Sequence, residues 1–344
     1  MAHTCNTMVL PLAYLKAGCR GETATSCDRS CGDSTRLRSV PTEGSGCFNS
    51  PPADFEHREL DQFIPLAYHC NMLGDDARMT AFQEAIGLTI SNGQIVLELG
   101  GGTGVLAFFA AQKSAQFLCI EKNPELVQQA RQILKANAVS DRVTVVLADA
   151  FDCPPPEPVD VVICEMLHVG MLREMQLAVI DSFKSRYLAK FGPPLPRFLP
   201  EAFFQSVQPV QHSFVYHGYV APTPVSQDPL VLQSRTRSLG APRIFQSACY
   251  SDCFSLDCGW TGSLSIAESG HFNALRFITK NILTVLEKQQ RSVDWPNQYL
   301  VKPLLAPMHV KSGQKADISF AYQAGDPVTT VQPRVVRLRP THRP

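Results

Sequence analysis

The sequence predicts an α/β fold, in which a parallel sheet is followed by a domain made mostly of β-strands. A glycine-rich turn near residue 100 links a short apolar strand to a helix, and strand-like and helix-like segments then alternate. Short alternating runs between Pro- and Gly-rich turns follow them. Alternating strands and helices favour a buried parallel sheet, because each crossover helix covers one of its faces. A chain of 344 residues has room for both parts.

The first predicted strand begins at Ile95 and includes Glu98, after which the chain enters the turn Gly-Gly-Gly-Thr-Gly. Helical spacing resumes at Val105. Glycine lets the backbone turn sharply and approach a ligand more closely than a Cβ would allow. A dinucleotide fingerprint would need Gly or Ala where Val105 stands, so the pattern disfavours an NAD site. The turn has glycine at three alternate positions, Gly100, Gly102 and Gly104.

The next strands end in polar residues that suit a nucleoside ligand. In a doubly wound sheet, ligands bind outside the carboxyl ends of the strands. Glu121 ends the second strand, where its carboxylate can accept hydrogen bonds from both hydroxyls of a ribose. Asp149 follows the third strand and can accept from an adenine amino group, while Ala150 can donate its backbone N–H to a ring nitrogen. The predicted strands are residues 117–121, 143–147 and 159–164, with helices near 105–113 and 124–136.

Two glutamates, Glu165 and Glu174, flank a loop that contains Gly170 directly after the fourth strand. Two carboxylates close together repel each other, so one pKa rises unless a cation joins them. A guanidinium suits this place because it is planar, always charged and able to pair along its edges. Two carboxylates also hold its positive charge on two nitrogens and leave the third with more lone-pair character. Glu174 could instead lie on the solvated face of the helix predicted at residues 172–191.

At these residues the chain resembles the protein arginine methyltransferases, a family of class I S-adenosylmethionine (SAM) methyltransferases. The glycine turn is similar to the first motif of that class, and the two glutamates have the nine-residue spacing of the family's double-glutamate loop. Residues 299–321 are similar to the family's closing barrel strands, and the resemblance covers about residues 60–330. A further match lies upstream, at His69, Met72, Asp75 and Arg78.

The resemblance implies a Rossmann-like SAM-binding domain, a β-barrel-like C-terminal domain and methyl transfer from SAM to a guanidinium nitrogen. It also implies that Arg78 pairs with the carboxylate of SAM and that Met72 packs near the transferred methyl group. The predicted catalytic residues are Glu165, Glu174 and Asp294. The residues predicted to bind the cofactor are Met72, Arg78, Glu98, Gly100, Gly102, Gly104, Glu121, Asp149 and Ala150.

Three departures from the family pattern point to a divergent member with an altered substrate. Asp294 stands where the family has a histidine beside its active site, which adds an acid there. Phe63 stands where the family's first helix has a tyrosine, and it has no hydroxyl to orient a glutamate. Residues 217–248 correspond to the family's helical dimerisation arm but are rich in Pro, Ser and Gln. The arm is therefore predicted to be short or remodelled.

Four parts are predicted along the chain. Apolar periodicity from Asn273 to Lys288 favours a helix in the last part, whereas the resemblance implies that some of it is a barrel strand. Strands are expected at 203–210 and 214–220, as in a barrel or sandwich. The parts are a disordered Cys-, Ser- and Gly-rich extension (1–54), helices that cover the cofactor (55–93), the SAM-binding domain (94–196) and the substrate domain (197–344).

The composition is that of a neutral globular protein. With 31 basic and 31 acidic residues, the chain has no overall field that would attract nucleic acid or a membrane. No apolar run is long enough to span a bilayer. Several of the 12 cysteines fall within predicted buried strands, which together with a SAM site predicts a reducing, cytoplasmic location. The cysteine spacings match no common metal site, so no metal is expected.

The predicted methyl acceptor is an arginine-containing protein or a small molecule with a guanidinium, and the resemblance suggests a homodimer. Two alternatives stay open. One is methylation of a different acceptor, with the glutamates binding another cation. The other is a SAM-binding pseudoenzyme, which the changes at Phe63 and Asp294 favour. An RNA or DNA methylase is disfavoured by the neutral charge and by the lack of an Asn-Pro-Pro-Tyr type of motif after the fourth strand.

Overall fold

The computed structural model describes residues 66–113 and 116–340. The extension predicted at residues 1–54 and the departure at Phe63 lie outside these residues. Two helices open the described part, α1 (Leu66–Leu73) and α2 (Asp76–Thr89). Asp75 caps α2, because its side chain accepts a hydrogen bond from the backbone N–H of Arg78 at 2.9 Å.

A five-stranded parallel sheet follows, with helices between its strands. The strands are β1 (Ile95–Leu99), β2 (Gln116–Glu121), β3 (Val143–Leu147), β4 (Val161–Cys164) and β5 (Arg197–Leu199). The helices are α3 (Val105–Ala111), α4 (Pro124–Ala136) and α5 (Gln176–Phe191). The sheet order is β3-β2-β1-β4-β5, so the strand order reverses between β1 and β4. This reversal is the switch point at which doubly wound sheets bind ligands, and the predicted Rossmann-like sheet is confirmed.

The double-glutamate loop, residues 165–174, ends in an irregular segment that delays the start of α5 to Gln176. The sequence predicts a helix from Leu172, and this start is wrong. Left-handed backbone angles do not fit a right-handed helix, so the chain cannot become helical before the loop has ended. Three residues of the loop have such angles, Gly170, Met171 and Arg173.

Antiparallel strands make up most of the chain after β5. They are β6 (Ala202–His212), β7 (Val215–Tyr216), β8 (Tyr219–Val220), β9 (Val225–Gln227), β10 (Thr236–Ser238), β11 (Arg243–Cys249), β12 (Trp260–Ser265), β13 (Gly270–Leu286), β14 (Arg291–Pro296), β15 (Tyr299–Val310), β16 (Lys315–Phe320) and β17 (Arg334–Arg339). The larger sheet has the order β10-β6-β13-β15-β9, with β11 beside β6 and β14 beside β13. A three-stranded sheet has the order β12-β16-β17, and β7 pairs with β8.

The helix favoured by the periodicity of residues 273–288 is wrong, because this segment belongs to the long strand β13. Strand β13 pairs with β6 on one edge, and on the other edge its first half pairs with β15 and its second half with β14. Burial alternates from Leu275 to Asn281, but the buried Thr279 and Asn281 are polar and the half-buried Ile278 is apolar, so the apolar residues do not alternate. Tertiary pairing decides the outcome where local periodicity is ambiguous.

The hydrophobic core around the parallel sheet extends into the antiparallel strands, which also have a separate core cluster of their own. Five buried residues from the C-terminal part join the cluster that surrounds the parallel sheet: Phe203, Tyr250, Leu283, Val293 and Trp295. Residues 217–248, where the sequence predicts a short or remodelled arm, contain strands and no helix.

No helix within the described ranges is both long and apolar enough to cross a membrane.

Candidate cofactor and substrate site

A cleft of about 180 Å³ opens at the carboxyl ends of the parallel strands. Most of the site residues predicted from the sequence line it, although they come from six separate segments of the chain. Gly104 and Asp294 are the two predicted residues that do not line this cleft. Those that do are Met72, Arg78, Glu98, Gly100, Gly102, Glu121, Asp149, Ala150, Glu165 and Glu174.

The glycine turn after β1 forms the floor of the cleft. The backbone N–H groups of Gly100 and Gly101 both donate to the carbonyl oxygen of Ile120, at 3.0 and 2.9 Å, which fixes the turn to β2. Gly102 has a φ of +53°, in the left-handed region that favours glycine. Gly104 has a φ of +80° and packs against Leu134, where an added Cβ would lie 3.2 Å from a side-chain carbon. Gly104 therefore serves the packing of the turn against α4.

Glu121 is held in place at the end of β2 by two backbone groups. One of its carboxylate oxygens accepts from the N–H of Gly102 at 2.9 Å, and the other accepts from the N–H of Asn123 at 2.8 Å. A carboxylate oxygen can accept more than one hydrogen bond, so capacity for two neighbouring hydroxyls remains. The hydrogen bond from Gly102 also couples Glu121 to the glycine turn.

Asp149 lies at the outer side of the cleft and is half-exposed. Its carboxylate accepts from the N–H of Phe151 at 3.0 Å and lies 3.4 Å from the ammonium of Lys122. Ala148 and Ala150 flank it in the lining of the cleft. This arrangement gives a carboxylate acceptor close to backbone groups, as an adenine edge requires.

Glu98 lies beneath the glycine turn and is only 2% exposed. Burial raises its pKa to about 8, and the nearby charge of Glu121 raises it too, whereas a hydrogen bond with Cys119 lowers it. The side chain is therefore a neutral acid at pH 7. One of its oxygens, Oε2, is buried with no partner among the described residues.

A buried ion pair joins Arg78 of α2 to Glu165 at the end of β4. The exposed fractions of the two side chains are 9% and 6%. The guanidinium of Arg78 also lies 5.0 Å from the ring centre of Trp295, close enough for a cation–π contact. Arg78 Nε and Glu165 Oε1 are buried without a hydrogen-bond partner in the described part of the chain. Because such groups are costly to leave unpaired, they indicate that a polar ligand completes the site.

Glu174 approaches the cleft from the other end of the loop. Burial raises its pKa to about 7, although the positive charges of Arg78 and Arg173 act in the opposite direction. A carboxyl group with a pKa near neutrality can bind a cation in its charged form and accept a proton. The two glutamates thus have different environments, since Glu165 already has a cationic partner.

Several residues that the sequence did not single out hold the double-glutamate loop. Gln176, fully buried, accepts from the N–H of Met166 at 2.9 Å and donates to the carbonyl oxygen of Cys164 at 2.7 Å. The N–H of Gly170 donates to the hydroxyl of Thr279 at 2.8 Å, and its carbonyl oxygen accepts from Tyr322 at 2.8 Å. Thr279 and Tyr322 come from distant strands, so no local signal marks them.

His69 also lines the cleft and packs against the glycine turn. An added Cβ on Gly102 would lie 2.9 Å from its ring. Burial lowers the pKa of His69, the charge of Glu121 raises it, and Nε2 has no partner among the described residues. A mostly neutral imidazole therefore lies where a cofactor would approach the turn.

A second cavity of about 620 Å³ adjoins the cleft. Met72 and Arg78 line both spaces, so their side chains form the wall between them. Asp294, predicted to be catalytic, lines this second cavity and pairs with Lys280 at 2.9 Å. Arg173 and His168 of the double-glutamate loop line it as well. No group of three metal-ligating side chains occurs in residues 66–113 and 116–340.

The chain is similar to known methyltransferases in sequence and in fold. The model of the methyltransferase domain family matches residues 96–186, which begin at the second residue of β1 and end within α5. An uncharacterized protein of Methanothermobacter thermautotrophicus is 28% identical over 280 residues, or 80% of this chain and 100% of that protein. A probable protein arginine N-methyltransferase 6 of Arabidopsis thaliana is 32% identical over 43% of this chain. An arginine N(omega)-methyltransferase of Streptomyces achromogenes is 30% identical over 46% of this chain.

These two named methyltransferases are matched over only part of their own length, 35% and 47% respectively. The fold is matched more widely. The PRMT1 enzyme–prozyme complex of Trypanosoma brucei, a heterotetramer with AdoHcy, superposes with a TM-score of 0.61 at 19% identity. That comparison covers 74% of this chain and 87% of the other, and at this identity it shows a shared two-domain fold.

Proposed function

We propose that this chain, a SAM-dependent methyltransferase related to the protein arginine methyltransferases, methylates a guanidinium nitrogen held between Glu165 and Glu174. One observation carries the proposal. Both glutamates line the cleft that contains the glycine turn, and Glu165 keeps one buried carboxylate oxygen without a partner among the described residues. A guanidinium can satisfy that oxygen and pair with Glu174 through a second edge.

SAM fits the cleft through residues that supply complementary chemistry. Glu121 would accept hydrogen bonds from the ribose, and Asp149 with the backbone of Ala150 would bind the adenine edge. Arg78, whose Nε lacks a partner in the described chain, would pair with the carboxylate of the methionine moiety. When bound, SAM supplies a methyl group on a positively charged sulfur, which makes that methyl group open to attack.

The protein's contribution is then mainly position and charge. Glu165 and Glu174 would orient one guanidinium nitrogen toward the methyl group and stabilise the extra positive charge that develops during transfer. As the new carbon–nitrogen bond forms and the carbon–sulfur bond breaks, the nitrogen must lose a proton. Glu174, whose pKa is raised to about 7, is suited to accept it.

The direct test is methyl transfer from labelled SAM, with free L-arginine and a whole-cell protein extract as separate acceptors. Acid hydrolysis and mass spectrometry would identify the methylated product. We expect methylarginine from at least one acceptor, and a loss of more than about 100-fold in turnover in Glu174→Gln and Glu165→Gln. Asp152→Asn, at an exposed surface ion pair, serves as the control and should keep the wild-type rate.

The outcomes separate the competing functions. If the methylated product were not methylarginine, the methyl acceptor would be a group other than a guanidinium. SAM binding with no turnover on any acceptor would favour a non-catalytic role. Unchanged turnover in both glutamine variants would refute the role of the two glutamates.

A further inference from the structure

The double-glutamate loop directs consecutive side chains into different spaces. Glu174 lines the cofactor cleft, whereas Arg173 lines the neighbouring cavity of about 620 Å³. The backbone of Arg173 has a φ of +62°, in the left-handed region that residues with a Cβ rarely adopt. An outlier of this kind persists only where the surroundings enforce it, and it often marks a functional constraint.

The surroundings do enforce this conformation. The N–H of Arg173 donates to the carbonyl oxygen of Asp326 at 2.9 Å, and the preceding residue, Leu172, is 0% exposed. The N–H of Gly325 donates to the carbonyl oxygen of Met171 at 2.8 Å. The backbone that carries the Arg173 guanidinium is therefore fixed by the segment at 325–326.

Arg173 forms no ion pair within the described residues, in contrast to the cations near it. Arg78 is neutralised by Glu165, and Lys280 pairs with Asp294. His168 lines the same cavity, but burial lowers its pKa to about 4, so it carries no charge at pH 7. Arg173 thus carries a positive charge that forms no ion pair with any acid of the described chain.

The cavity also contains acids without a cationic partner among the described residues. Asp75, Asp76 and Asp228 line it together with Arg173. These carboxylates would repel a purely anionic ligand but tolerate one that also carries positive charge. The combination suits a molecule with both signs of charge next to its guanidinium.

We infer that Arg173 pairs with a carboxylate on the methyl acceptor, which therefore carries an anionic group in addition to its guanidinium. The inference rests on the proposed function and narrows its substrate class. A planar guanidinium and a carboxylate form two parallel hydrogen bonds, which gives direction as well as affinity. The carboxylate can belong to a free guanidino amino acid or to an acidic residue beside the target arginine of a polypeptide.

Binding can be tested without turnover by isothermal titration calorimetry on the full chain saturated with S-adenosylhomocysteine. The first ligand pair is L-arginine and L-argininamide, which differ only in the carboxylate. The second pair is a short peptide with arginine between two glutamates and the same peptide with glutamines. In the pair that resembles the natural acceptor, we expect the ligand with the carboxylate to bind about 10- to 100-fold more tightly than its neutral partner.

Variants connect that preference to Arg173. Arg173→Gln should reduce it at least about tenfold, and Arg173→Lys should retain part of it because the charge remains. Arg186→Gln removes an exposed arginine outside both cavities and should leave the preference unchanged. A preference in the first pair identifies a free amino acid, and one in the second pair alone identifies an acidic sequence in a polypeptide.

Two results would overturn the inference: no preference for the carboxylate in either pair, or a preference that persists in Arg173→Gln. A preference that depends on Arg173, found together with no methyl transfer to any guanidinium, would leave the pairing intact. In that case the proposed methylation would be the part that fails.

Discussion

Glu174 shows at the scale of a single residue how its environment can set the working pH. Its pKa is raised to about 7, because burial outweighs the positive charges of Arg78 and Arg173. As the pH falls below 7 the neutral acid increasingly predominates, and it lacks the negative charge that pairs with a guanidinium. We expect kcat/KM to fall about tenfold for each pH unit below 7.

The measurement is a kcat/KM profile from pH 5.5 to 7.5 with a guanidinium acceptor, which stays charged over this range. Residual activity of Glu174→Gln should not show the same dependence, because glutamine does not titrate. A wild-type profile that is flat across this range would contradict the assignment of Glu174 as the controlling group.

Glu98 should make the folded protein more stable at lower pH. Its folded-state pKa of about 8 lies above the ordinary value of 4.5, so the native state holds a proton that the unfolded state releases. Stability is therefore highest below pH 4.5 for this group and falls as the pH rises toward 8. Glu98→Gln resembles the protonated form and should lose this dependence.

Urea unfolding at pH 6 and pH 8 would check this difference. Between these values we expect wild type to lose about 2 kcal/mol more stability than Glu98→Gln does, in the absence of ligand. Equal losses in the two proteins would show that Glu98 does not hold its proton in the folded state.

At this scale the sequence indicated the acids at the strand ends but not their charge states. Glu121 and Asp149 could be predicted because polar residues after buried strands meet at one edge of the sheet. The orphan oxygen of Glu165 and the raised pKa of Glu174 could not, since both depend on neighbours distant in the chain. Asp294 lies in the adjoining cavity rather than the cleft, which spacing alone could not decide.

At the scale of an element, the glycine turn is tightest at Gly101, where an added Cβ would clash with the sulfur of Cys119 on β2. Gly101 has no left-handed φ, so the obstacle to alanine is the contact alone. Gly101→Ala should cost about 1–3 kcal/mol and weaken cofactor binding by moving the turn away from β2. Adding Cys119→Ala removes the sulfur and should recover much of both losses.

A double-mutant cycle on thermal unfolding and on S-adenosylhomocysteine affinity would measure this coupling. Cys119→Ala alone is the matched control, and its cost combines a small cavity with the loss of the hydrogen bond to Glu98. Additive effects of the two substitutions would mean that the turn and β2 do not press on each other at this point.

The helices and strands differ in how well the sequence predicts them. The first four parallel strands and α4 agree with periodicity because each has one dominant environment. Strand β13 was open to a helical interpretation, since polar residues such as Thr279 and Asn281 fill buried positions and hide the period of two. The double-glutamate loop owes its shape to Thr279 and Tyr322, whose hydrogen bonds to Gly170 reach across more than 100 residues of sequence.

At the scale of the whole molecule, the shared core should make the described parts unfold together. All the α-helices of the described residues lie between Leu66 and Phe191, whereas both tryptophans of the chain lie in the C-terminal strands. The ring of Trp295 lies 6.1 Å from that of Phe82 in α2, so the tryptophan contacts the helical part directly. We expect helix loss in far-UV circular dichroism and the fluorescence change to share one midpoint.

Trp260→Phe leaves Trp295 as the only tryptophan, and its fluorescence should show the same coincidence. S-adenosylhomocysteine should raise both midpoints equally, because a ligand of the native state stabilises the whole cooperative unit. Two separated midpoints would mean that the antiparallel strands form an independent unit.

The wall that Met72 and Arg78 form between the two spaces sets a rule for the design of inhibitors. Adenosine and a guanidine would both bind in the cleft, so a compound that joined them to a carboxylate for Arg173 would have to pass these two side chains. Methionine is unbranched and yields readily, so the tether should run on its side and carry no positive charge toward Arg78. Once the part in the cleft is bound, the tether holds the carboxylate near Arg173 at a high effective concentration. Two weak contacts would then combine into tight binding.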